Sequence, residues 1–347
     1  MLLDHLGKCV APFCICILRG FCCTFQAMKF SITPYSGDSP MRPWPALAEK
    51  AFCLKDDSRP EETLFYYDSA CPQGGDADTQ PVFVLIHGLG DEADSWRHLI
   101  PLLNSCGCRT LAPDLPGFGR SAAAGKISLE GYADAVLRLV AAAVRPFSGG
   151  LGKEGPPVFL AGSSMGALVA ETAALKMPEL AEGLILVSGS IPGGPKNPGP
   201  RALAKILFRR KWYRAYRKNP EGLWDSLFPY YADLDSMPTA DKDFLRTRVM
   251  ARVESTSQER AFFAIQRSLV RAYLFASSRY ARKIKRYKGR ILLIWGESDR
   301  IIPLSSAEGF KALRRDIALE VIPGAGHLPH QERPGDAARL MADFAGK

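Results

Sequence analysis

Val158-Phe159-Leu160-Ala161-Gly162-Ser163-Ser164-Met165-Gly166 runs from a short β-branched and apolar stretch into a glycine-flanked turn, and an apolar helical pattern follows it. A serine at the centre of G-x-S-x-G, after a buried strand and before a helix, is the setting in which that motif carries a nucleophile. The reason is steric. The sharp turn strains its central residue, and the flanking glycines remove bulk where backbones cross. The Ser164 hydroxyl is thereby held out at the end of a sheet, and the free N–H groups of the following helix face developing negative charge. Ser163, at the variable position, is expected to face away.

Working outward, strands and helices alternate. Val82–Ile86 reads as a strand buried on both faces, Trp96–Leu103 as a helix, Arg109–Ala112 as a strand and Leu129–Val144 as a helix. Leu184–Val187 is the next strand. After about a hundred residues the pattern resumes with strand Ile291–Trp295, helix Ser305–Leu313, strand Ala318–Ile322 and helix Ala337–Phe344. This order predicts an α/β fold with a mostly parallel sheet and helices on both faces. Residues 61–188 and 289–347 would form the core. Residues 189–288 would form a helical lid inserted in it, and residues 1–60 an irregular N-terminal extension, rich in Pro, Ser and charge over 29–60. Leu64–Tyr67 is a candidate early strand.

A serine needs a base within reach. Of the five histidines, His327 lies in Pro323-Gly324-Ala325-Gly326-His327, a glycine-rich loop after a strand. His330 is its rival, though the Gln331-Glu332-Arg333-Pro334 helix start beside it favours a structural role. His87 reads as a buried histidine pinning its loop. Asp299 follows Ile291–Trp295 and gives the chain order Ser, Asp, His; Glu297 is the reserve. An oxyanion needs two donors: the N–H of Met165, and that of Leu89 in His87-Gly88-Leu89-Gly90. Asp114 reads as a loop-fixing cap or ion pair. Dinucleotide, Walker A and H-E-x-x-H patterns are absent, so no cofactor or metal is expected.

The segments HGLG (87–90), DLPGFGRS (114–121), GSSMG (162–166), WGESDRIIP (295–303) and GAGHLPHQERP (324–334), in this order, resemble the α/β-hydrolase fold family. They are most similar to its lidded members: esterases, monoacylglycerol lipases and C–C bond hydrolases. The likeness covers about Phe65–Phe344, the lid sequence excepted. It implies an eight-stranded, mostly parallel sheet and two-step acyl transfer without a cofactor. Ser164 would attack, His327 move the proton, Asp299 orient His327, and Leu89 and Met165 hold the oxyanion. Serine in place of aspartate argues against epoxide and haloalkane chemistry. Cleavage of a small or lipid-like carboxylic ester is expected. C–C hydrolysis and non-catalytic ligand binding are the alternatives.

The chain of 347 residues carries a formal charge of +9, with 47% apolar and 23% charged residues. Residues 189–288 hold 22 Lys/Arg against 8 Asp/Glu, so all the excess lies in the lid. Solvated helix faces explain such a surplus, as does peripheral contact with an anionic membrane. Nucleic acid is not an expected partner, and the oligomeric state is left open. The nine cysteines, five within the first 23 residues, form no disulfide framework and read as reduced thiols. No apolar stretch has the length of a spanning helix. A cytoplasmic protein is expected, with an N-terminal anchor or export segment still open.

Overall fold

The computed structural model describes residues 30–36, 41–56, 59–69, 79–123, 126–144, 155–189 and 210–347. Nine strands make one sheet: β1 (Phe30–Pro34), β2 (Ala51–Asp56), β3 (Arg59–Ser69), β4 (Val82–Ile86), β5 (Arg109–Pro113), β6 (Val158–Ser163), β7 (Gly183–Val187), β8 (Arg290–Gly296) and β9 (Ala318–Ile322). Their spatial order is β1-β2-β3-β5-β4-β6-β7-β8-β9. β1, β2 and β3 form an antiparallel run that joins β5, and all pairings from β5 to β9 are parallel.

The structure departs from three expectations. The sheet has nine strands rather than eight, and the lead-in read as irregular supplies β1 and β2. β1 is a sheet edge with only one partner, half-buried at best, so its sequence FSITP carries no apolar run to betray it. The predicted helix at Trp96–Leu103 is also two pieces, a 3-10 turn at Ala93–Trp96 and α1 at Leu99–Ser105. The segment before Met28 and the Pro/Gly-rich 191–200 stretch lie outside the described residues.

The buried strands β4, β6 and β7 have no exposed position, as a sheet covered on both faces requires. One face packs on α2 (Leu129–Ala143), α3 (Met165–Lys176) and α9 (Leu304–Lys311); the other packs on α1 and α10 (Pro334–Ala345). α2 begins where the Ser128 hydroxyl accepts the Gly131 N–H at 3.0 Å. α3 is buried from Met165 to Ala174, which explains why its apolar residues show no single stripe.

Between β7 and β8 lies a helical insertion, the segment expected as a lid and called so below; its described residues form α4 (Arg210–Ala215), α5 (Pro220–Asp225), α6 (Thr239–Glu254), α7 (Thr256–Arg271), a π-helical turn (Ala272–Ala276) and α8 (Ser277–Arg286). Tyr213, Leu223, Trp224, Tyr231, Leu245, Val249 and Phe263 give it a small core of its own. Among the described residues, no helix is long and apolar enough to cross a membrane.

What the fold does for a site is visible in the register. Ile86 pairs with Gly162, Ser163 with Val187, Val187 with Ile294 and Gly296 with Ile322. Strands β4, β6, β7, β8 and β9 therefore end level. The loops that follow them open at one edge, where parallel sheets gather ligands.

Candidate active site

Ser164 stands between the last residue of β6 and the first of α3, at φ 53° and ψ −115°. A side-chain-bearing residue seldom takes such a backbone, and the surroundings enforce it. The Ser164 N–H is held by the Val187 carbonyl at 2.8 Å, and the Ser164 carbonyl accepts from Ala167 N–H at 3.0 Å. Any side chain at Gly162 would strike the Gly166 backbone, and one at Gly166 would strike the carbonyls of Ile86 and His87. Both glycines are thus required by close approach between β4, β6 and α3.

The loop after β4 reaches the same place. A Cβ on Gly88 would sit 3.6 Å from the Ser164 Cβ. Gly90 has φ 74°, a value that favours glycine. His87 fixes this loop. Its Nε2 accepts the Leu115 N–H at 2.8 Å, so the proton resides on Nδ1, which donates to the Gly88 carbonyl at 2.8 Å. Burial holds this imidazole below its ordinary pKa. His87 is therefore a neutral strut. Among the described residues, the N–H groups of Leu89 and Met165 donate no backbone hydrogen bond.

At the ends of β8 and β9, Asp299 and His327 meet. Asp299 Oδ1 accepts the N–H groups of Ile301 and Ile302, each at 2.9 Å, and Oδ2 lies 2.9 Å from His327 Nδ1. Both side chains are withdrawn from solvent. With Nδ1 bound to a carboxylate, Nε2 is the free end of the ring. It is buried and has no hydrogen bond among the described residues, Ser164 Oγ included. Such contacts in an empty site are often long and tighten only with substrate. Glu297, the reserve, accepts the Gly324 N–H at 3.2 Å and does not touch the imidazole.

The rival His330 lies elsewhere. Its Nε2 is 2.9 Å from the Ser95 hydroxyl and its ring packs at 4.1 Å on Trp96. Complete burial pushes its pKa down to about 3. Asp114 has the loop-fixing place. It accepts the N–H of Ala93 at 2.8 Å and of Arg120 at 2.7 Å, and pairs with the Arg120 guanidinium. Burial alone would raise this carboxyl; Arg120 holds it below the ordinary carboxylate range.

Several contributors carry no local sequence signal. The Tyr230 carbonyl accepts the His327 N–H at 2.8 Å, and the Tyr230 ring stands edge-on to the imidazole at 5.7 Å. Glu332 accepts the N–H groups of Gly326 and Ala232, each at 2.7 Å, tying the His327 loop to the lid. Gln258 accepts the Gly119 N–H at 3.2 Å, and the Phe262 ring lies against Gly90. From α6, Arg252 grips Glu92 through two contacts of 2.8 Å and Asp91 at 2.5 Å, while Arg248 reaches Asp94 at 3.0 Å. These pairs lock the lid to the loop that carries Leu89.

The chain that brings a strained serine and a buried His–Asp pair to one edge of a parallel sheet is similar to known proteins. Residues 83–340 match the alpha/beta hydrolase family. The chain belongs to that family. It is a hydrolase of this fold, with relatives of differing chemistry. It is 28% identical over 274 residues to 2-hydroxy-6-oxo-6-phenylhexa-2,4-dienoate hydrolase of Burkholderia cepacia, covering 78% of this chain and 89% of that one. It is 25% identical over 276 residues to monoacylglycerol lipase abhd6-B of Xenopus laevis, covering 78% and 77%. The biotin biosynthesis bifunctional protein BioHC of Cellvibrio japonicus is 25% identical over 270 residues; the match takes in 77% of this chain and 48% of that longer protein.

Proposed function

We propose that this alpha/beta hydrolase is a serine esterase acting on a small or lipid-like carboxylic ester through Ser164, His327 and Asp299. The observation that carries the reading is the strained Ser164 at the sheet edge where Asp299 holds the Nδ1 side of a buried His327. Ser164 Oγ attacks the ester carbonyl while His327 Nε2 takes its proton. The resulting imidazolium is stabilised by Asp299, whose other oxygen is already fixed by two backbone N–H groups. Leu89 and Met165 donate their N–H groups to the oxyanion. His327 returns the proton to the leaving alcohol, and water then releases the acid from Ser164 by the same route.

A second reading, hydrolysis of a C–C bond, is favoured by the likeness to the dienoate hydrolase. An observation weighs for the ester. A dienoate carries a carboxylate and calls for a free cation, and among the described residues Arg252, the guanidinium tied to the Leu89 loop, is already held by Glu92 and Asp91. The likeness to a monoacylglycerol lipase supports the same choice. The test is turnover of a chain-length series of p-nitrophenyl esters beside spectral loss of a dienoate. Ester turnover with an untouched dienoate is expected. Dienoate loss with no ester cleaved would reverse the assignment.

A further inference from the structure

The lid uses its positive charge in two ways. On α6, Arg248 and Arg252 are buried against Glu92, Asp94 and Asp91. From Arg260 onward the sequence changes. Residues 260–290 contain ten Lys/Arg and no Asp or Glu. Arg267, Arg271, Arg279, Arg282, Lys283 and Arg286 are all exposed, and none forms an ion pair among the described residues.

The π-helical turn Ala272–Ala276 lies in the middle of this stretch and joins α7 to α8. It turns Ala272 inward and leaves Leu274 41% and Phe275 80% exposed. No other large apolar side chain in the described residues is so exposed as Phe275. Arg267, Val270, Arg271 and Phe275 border an open hollow of about 530 Å³. Arg267 and Arg271 border this hollow beside Phe275, so the aromatic ring projects next to guanidinium groups. Apolar side chains proud of a basic face match a bilayer interface, which takes Leu and Phe into its acyl boundary and Arg and Lys against its anionic headgroups.

We infer that the π-turn and the basic ends of α7 and α8 form a docking surface for an anionic lipid bilayer, entered by Leu274 and Phe275. Nucleic acid fits less well, because it would use the charges but has no phase to receive two exposed apolar side chains. The surface is built from residues that the proposed reaction does not use, and its binding requires no turnover. Failure of the esterase reading would leave it untouched, and the reverse also holds.

The test is flotation of the full chain with vesicles of phosphatidylcholine alone and with about 30 mol % phosphatidylserine. Partition is expected to be at least about tenfold greater on the anionic vesicles and to fall as salt rises from about 0.1 to about 0.5 M. The double variant Leu274→Ser/Phe275→Ser should lose about tenfold, and Arg271→Glu/Arg279→Glu at least as much. These side chains are exposed, so both variants should melt with the wild type by circular dichroism. If the charge variant misfolds, the apolar one decides. Equal partition on both vesicle types would overturn the inference, as would wild-type binding by the apolar variant. So would vesicle-independent capture of a duplex oligonucleotide that the apolar variant retains.

Discussion

The C-terminal edge of the sheet and helix α6 of the lid both remove charged side chains from water, and they do so by different means. At the edge, two N–H groups two and three residues on hold Asp299, level strand ends bring its loop to that of His327, and the Tyr230 carbonyl holds the His327 N–H. On α6, Arg248 and Arg252 meet carboxylates about 150 residues earlier in the chain. In the proposed reaction the first arrangement holds the imidazole that moves the proton. The second closes the lid on the loop beside Ser164. Substitutions at the edge should therefore cost rate with little stability, and substitutions on α6 the opposite.

The largest expected break at the edge is His327→Ala, which should lower kcat for a p-nitrophenyl ester by about 10⁴-fold or more, with the melting temperature nearly unchanged. Asp299→Asn should cost about 10³–10⁴-fold in kcat, because the imidazole loses its orienting acceptor. Glu297→Gln should change kcat by less than about threefold, since Glu297 binds only a loop N–H that an amide oxygen also accepts. A larger loss in Glu297→Gln than in Asp299→Asn would exchange their roles.

On the lid side, Arg252→Met should leave Glu92 and Asp91 buried without their cation and cost about 3 kcal/mol of stability, read by urea unfolding. Adding Glu92→Gln should return part of that loss. If Arg252→Met kept full stability but lost kcat, the separation between the two regions would fail.

A further effect is a slope. His330, ordinarily near 6.5, is held at about 3 by burial. Between those values the unfolded chain binds a proton that the folded chain refuses. Stability should therefore fall as pH drops through that window, by up to about 1.4 kcal/mol per unit. His330→Gln should flatten the urea midpoint against pH between about 6 and 4, leaving the part due to His87, which burial also keeps neutral. An unchanged slope would mean that His330 is charged in the fold.

The same contrast explains what could be read from the amino-acid sequence. Gly162, Ser164 and Gly166 announce their turn because backbone collisions within a few residues dictate them. His327 and Asp299 announce theirs because each follows a buried strand by a short loop. Strand β1 stayed hidden because an edge needs no apolar alternation. Tyr230, Gln258, Arg252 and Glu332 were equally hidden. Each acts across a distance that only the folded lid spans, and an arginine on an amphipathic helix looks alike whether it meets solvent or Glu92. The charge surplus of residues 189–288 was therefore visible, but its division into buried clamps and an exposed basic face was not.

The central claim is that Ser164 is the nucleophile of a working site. Labelling of the folded full chain with a fluorophosphonate probe tests it most directly. One labelled serine is expected, with labelling abolished in Ser164→Ala and retained in Ser163→Ala. A folded wild-type chain that takes no label, or a Ser164→Ala chain that still takes it, would contradict the account.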